Sequence, residues 1–185
     1  CLFASYPKAI RLDYVKRFYD AVSLFKLSLP TPIMSGVRTP TRQFSSCVLI
    51  ECGDSLDFVH FCCLVRCASM VLAKETPKAS FLERLWSHRS ADGGFHPQQG
   101  SDQSTAYATF LAVGALQDLG WDLSSIRSGV VASLDSLRAG KTAWSNERAV
   151  AIPSTNATAA ALTTLRQFDC FPNTETTQWI LQMAH

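Results

Sequence analysis

Asp57 and His60, three residues apart, are of types that could carry chemistry together. Residues three apart share a helix face, so a carboxylate and an imidazole would stand together there. The plainer alternative is that His60 is an ordinary helix residue with its hydrogen bond satisfied. The thiols form a second group. There are seven cysteines, an odd number, and Cys62, Cys63 and Cys67 fall within the apolar stretch from Phe58 to Ala73. That setting suits reduced core thiols in a cytoplasmic protein better than a disulfide framework. Asp102 is a lone carboxylate, expected to cap a helix. No Asp-rich cluster is available to raise one carboxyl pKa for acid catalysis. The sequon Asn156-Ala157-Thr158 would matter only in a secreted chain.

The elements that would position these groups repeat. Asp92-Gly93-Gly94-Phe95 and the later run Ser104 to Leu111 are echoed by Gly140 to Trp144 and Ser154 to Ala160, with Phe95 and Trp144, and Thr109 and Thr158, each 49 residues apart. Leu85, Ser87 and Arg89 map onto Leu134, Ser136 and Arg138 at the same offset. A weaker copy aligns Asp57 to Leu64 with Thr105 to Ala112 at an offset of 48. Ala106 to Leu116 and Ala157 to Leu165 are apolar or small nearly all round, as helices packed on two sides must be. Ile126, Val130, Leu134 and Leu137 form one stripe with charges on other faces, the pattern of an outer helix. Leu82, Leu85 and Trp86 precede the first turn in the same way, and Trp179, Ile180 and Met183 follow the last inner helix. Gly93-Gly94 and Gly120 end helices, and Ser154/Thr155 start one after Pro153. The expected class is therefore all-α, helical-hairpin repeats forming a partial α/α toroid.

Two parts are expected. Residues 1–45 hold an N-terminal helix, about Asp13 to Phe25, and a connection rich in proline (Pro30, Pro32, Pro40), and residues 46–185 hold the hairpin repeats. Because the chain starts at Cys1, it reads as an excerpt of a longer frame. A net charge of +2 with scattered charges offers no basic stripe for nucleic acid. The longest apolar stretch is interrupted by His60 and Arg66 and is too short for a membrane span.

The order of outer helix, Gly-Gly-aromatic turn, Ser/Thr cap and small-residue inner helix resembles the αα-toroid family of protein prenyltransferase β subunits and squalene cyclases. The run Thr155 to Ala161 resembles, in particular, bacterial proteins with prenyltransferase and squalene oxidase repeats. The resemblance implies zinc-dependent transfer of an isoprenoid from its diphosphate, with Asp57 and His60 near the metal and an Asp-x-Cys element upstream of Cys1. It implies an apolar funnel lined by Tyr107, Phe110, Phe61 and Phe95, with Arg66, Arg89 or Arg138 reaching the diphosphate. Two other functions fit the same helices: a non-catalytic scaffold binding a protein or an apolar ligand on its concave side, and a terpenoid cyclase fragment.

Overall fold

The computed structural model describes residues 53–72 and 76–183. The expected helix at Asp13 to Phe25 and its proline-rich connection lie outside them. The described chain is mostly helical. Its order is α1 (Phe58–Leu72), α2 (Lys78–Ser87), α3 (Ala106–Asp118), a 3-10 turn (Leu123–Ile126), α4 (Arg127–Ser136), the two-residue strands β1 (Arg138–Ala139) and β2 (Ala143–Trp144), α5 (Thr155–Arg166) and α6 (Thr174–Met183).

Helices α1, α3 and α5 form the inner layer, with α3 packed between the other two. Its all-round apolar sequence is thereby explained: Ala106, Ala108, Leu111, Ala112, Val113, Ala115 and Leu116 are all buried on one helix. Alanines let its neighbours approach closely, and Arg66 of α1 lies against Gly114 while pairing with Asp118 at 2.7 Å. The stripe predicted for the outer helix is fully buried, Ile126, Val130, Leu134 and Leu137 together. Phe61, Phe81, Leu85, Phe95 and Trp144 fill the centre of the same core.

The sequence repeat is a repeat of hydrogen bonds. Phe95 N–H donates to Thr109 Oγ1, and Trp144 N–H to Thr158 Oγ1, both at 3.1 Å. Thr105 N–H donates to the Phe95 carbonyl as Ser154 N–H does to that of Trp144. His96 N–H reaches His88 O, and Ser145 N–H reaches Leu137 O. The inner helices end alike: Trp121 N–H returns to Leu116 O and Cys170 N–H to Leu165 O, with Gly120 (φ 77°) and Asp169 (φ 57°) in the left-handed region at the equivalent place. The weaker third copy shares the start signal, because Asp57 Oδ1 accepts from His60 N–H as Thr105 accepts from Ala108 N–H and Ser154 from Ala157 N–H.

Two expectations change. Asp102 is not the cap of α3; the Thr105 hydroxyl is, while Asp102 receives Asp92 N–H on its backbone oxygen. Helix α6 forms where its apolar spacing predicts, but it buries only Thr176 and leaves Ile180, Leu181 and Met183 exposed.

Candidate functional site

A groove of about 600 Å³ opens between α3 and α5, lined by Tyr107, Phe110, Ala157, Ala159, Ala160 and the polar Asn146, Ser154, Asn156 and Thr163. Tyr107 points outward because its position in the first turn of α3 faces the gap to α5, and its ring stands 6.3 Å from that of Phe110. Asn146, from the loop after β2, caps this helix start. Its Oδ1 accepts from Tyr107 N–H at 3.1 Å and its backbone oxygen accepts from Ala106 N–H at 3.0 Å. Sequence reasoning named Tyr107 and Phe110 but missed Asn146, which lies 39 residues from the amide it caps.

The third aromatic expected in the site, Phe61, is elsewhere. It is buried in the core, edge-on to Phe81 at 5.7 Å with the Arg84 guanidinium over its other face. Phe95 is buried as well. The three arginines expected to reach a diphosphate are engaged away from the groove: Arg66 with Asp118, Arg89 over the Trp86 ring, and Arg138 over Trp144 and paired with Asp135.

Asp57 and His60 do stand together, Oδ2 to Nδ1 at 2.6 Å, on an exposed helix start. The His60 backbone and ring hydrogen bonds hold the Asp57 carboxyl below its usual range. This is a helix cap, in the position that Thr105 and Ser154 occupy in the other units. Among the described residues no three His, Cys, Asp or Glu side chains converge as a metal site requires. Two of the three thiols of α1 are poorly placed for nucleophilic work. Burial pushes the Cys62 thiol far up and raises that of Cys67, and Cys63, expected in the core, is exposed.

Two ionisable groups that sequence reasoning passed over organise the first turn. Asp92 accepts from Ser90 Oγ at 2.6 Å, from Gly94 N–H at 3.1 Å, and from both the backbone and hydroxyl of Ser104 at 2.9 Å. Partial burial raises its pKa, but these four donors outweigh it and leave the carboxyl below its usual range. His88 is buried against the Phe58 ring with centroids 4.5 Å apart, and burial lowers its pKa.

By architecture, then, the described part is mostly helical, with an uncharged groove between two of its helices. Similarity to known proteins lies in a different direction. A 60-residue stretch is 83% identical to the ribonucleoside-diphosphate reductase 1 subunit alpha of Salmonella typhimurium, covering 32% of this chain and 8% of that one. The corresponding Escherichia coli subunit is 82% identical over 60 residues, with the same coverage. The Haemophilus influenzae reductase subunit alpha is 80% identical over 59 residues, again 32% of this chain and 8% of the relative. The chain thus spans about 8% of the length of the curated relatives it matches. No protein-family model matches it, and no solved structure does.

These relatives overturn the expected kinship with protein prenyltransferases and squalene cyclases, and with it isoprenoid transfer, the scaffold alternative and the terpenoid cyclase alternative. The features that carried the resemblance are packing devices. The turn glycines, the capping hydroxyls and the inner-helix threonines are consumed in backbone contacts and report nothing about a reaction. Zinc is withdrawn with it: the relatives are reductase subunits, and the Asp57 carboxylate is taken up in capping α1. No described helix is long and apolar enough to cross a membrane.

Proposed function

We propose that the chain carries a segment of a ribonucleoside-diphosphate reductase alpha subunit and contributes to reduction of a ribonucleoside diphosphate as part of a larger polypeptide. The observation that carries this is 83% identity sustained over 60 residues, far above what shared helical packing alone would produce. An alpha subunit implies a differently built companion subunit, so the reading includes a protein partner and a cytoplasmic setting in which thiols stay reduced.

Reduction requires an electron source, and thiols are the side chains suited to give electrons. Two of the three cysteines of α1 argue against themselves: Cys62 is buried with its thiol held protonated, and Cys67 is shifted the same way. Any thiol chemistry of the segment is therefore assigned away from Cys62 and Cys67, among the other five cysteines.

The repeated hydrogen bonds run from His88 to Cys170, further than a 60-residue stretch can reach, so at least part of the repeat lies outside the reductase-like segment. On the repeat alone we divide the chain into residues 1–45 and a hairpin-repeat part, 46–185, whose inner helices α1, α3 and α5 would form an arc of an α/α toroid.

The test is a transplant. The 60-residue stretch of the Salmonella typhimurium alpha subunit is replaced by this chain's version, and ribonucleoside diphosphate reduction is assayed with the rest of that reductase in place. Activity within about threefold of the parent is expected, since most surface differences are nearly neutral. Loss of turnover in a folded hybrid would sink the reading.

A further inference from the structure

We propose that the groove between α3 and α5 is a binding site for a neutral sugar, with a pyranose ring laid on Tyr107 and its hydroxyls held by Asn146 and Asn156. The proposal is independent of the reductase reading and rests on the groove alone.

Tyr107 is 45% exposed although it belongs to the most deeply buried helix among the described residues. With Phe110, tilted by 34° against it, the ring forms a two-residue aromatic shelf. The facing wall carries the methyl groups of Ala157, Ala159 and Ala160, which keep the groove open. An aromatic face is electron-rich and attracts the weakly positive C–H face of a sugar ring, so the shelf suits a ring-shaped, partly aliphatic ligand.

The polar groups narrow the choice further. Asn146 Oδ1 is occupied by Tyr107 N–H, which fixes the carboxamide and leaves its two Nδ2 hydrogens without a partner among the described residues. The Asn156 side chain likewise has no partner among the described residues and presents both a donor and an acceptor. Ser154 Oγ accepts from Ala157 N–H and retains its proton, whereas Thr163 donates to Ala159 O and retains its lone pairs. No Asp, Glu, Lys or Arg lines the groove. A phosphate or carboxylate entering it would lose water without meeting a counter-charge, at a cost of several kcal/mol. Hydroxyl groups, which both donate and accept, match the mixture of free donors and acceptors without that cost.

The experiment is an NMR titration of the 15N-labelled chain with maltohexaose and, separately, cellohexaose, with adenosine and adenosine diphosphate as competitors for the same groove. Saturable shifts confined to the amides of Tyr107, Asn146 and Asn156 are expected with a sugar, and which sugar binds distinguishes α- from β-linked glucose. Tyr107→Ala should weaken binding about fivefold, the loss of one aromatic contact. Asn146→Asp should do likewise while preserving the fold, because it keeps an oxygen to cap Tyr107 at a helix start that favours negative charge, and exchanges the two donors for a charged acceptor. Phe171→Ala, at an exposed aromatic outside the groove, should leave binding unchanged. Absence of shifts with both sugars at millimolar concentration, preference for adenosine or its diphosphate, or sugar binding indifferent to both groove substitutions would overturn the proposal.

Discussion

The turn joining α2 to α3 and the turn joining α4 to α5 make the same anchoring hydrogen bonds from largely different residues. In the first, Asp92 gathers four donors, Gly93 adopts φ 92° and Gly94 is pressed against Ser104. In the second, Lys141, Thr142 and Ala143 stand in those places, and a two-residue strand pair around Gly140 (φ 79°) replaces the carboxylate-centred loop. What both retain is a buried aromatic residue whose N–H meets an inner-helix threonine. The repeat is thus defined by its aromatic–threonine anchor, and the glycine pair answers a local demand. That demand is visible in the first turn alone, where a Cβ on Gly93 would lie 2.7 Å from the Cα of Gly129 in α4.

The largest effect should come from testing that contact. Gly93→Ala forces a backbone-to-backbone clash at a positive φ, and a loss of about 2–4 kcal/mol in urea unfolding is expected. Thr142→Gly, the reciprocal change, should stay within about 1 kcal/mol of the parent. If the two substitutions cost the same, the turns are not differently constrained.

Next come the shared anchors. Thr109→Val and Thr158→Val each strip the acceptor from a buried N–H, so each should lower stability by about 1–3 kcal/mol, and by similar amounts. A large inequality between them would break the claim that the units are equivalent.

Acid sensitivity should divide the units as well. His88 has its pKa lowered by burial, so its contribution is complete above the unfolded value of about 6.5 and is lost as pH falls below it. Asp92, also depressed, contributes above the unfolded value of about 3.9 and loses that contribution as pH falls through its folded value. The second unit has Leu137 and Lys141 at these places. His88→Leu should therefore flatten the stability profile between about pH 5 and 7, measured by thermal unfolding across that range.

The smallest effect concerns the helix ends. Asp169 occupies the left-handed position that Gly120 fills one unit earlier. Asp169→Gly should stabilise the chain by about 0.5–1 kcal/mol, and no gain would mean that Asp169 is held there without strain.

The helices and their layering were legible because burial is written into residue type. The stripe Ile126, Val130, Leu134, Leu137 and the small residues of α3 each point to one kind of packing. The anchors were legible through their common offset. Asp92, His88 and Asn146 were not, because their partners come together only when a loop closes, and a carboxylate or carboxamide in a loop looks the same with or without them. Of the groove, Tyr107 and Phe110 could be read from the inner helix, while Phe61 sits on a face that turns into the core. Kinship was misread for a related reason: the repeat motif describes packing, and the reductase similarity resides in residue identities that no periodicity reveals.

Thr158 gives the sequon at Asn156 a kinetic meaning. Its hydroxyl receives the Trp144 N–H, the residue is fully buried, and Asn156 is wound into the first turn of α5. An oligosaccharide could be attached only to an extended and accessible Asn-x-Thr segment, so in an oxidising secretory compartment modification would have to outrun folding. Once α5 has docked, the acceptor is closed by the bond that anchors the second unit, and the degree of occupancy would record how quickly that unit folds.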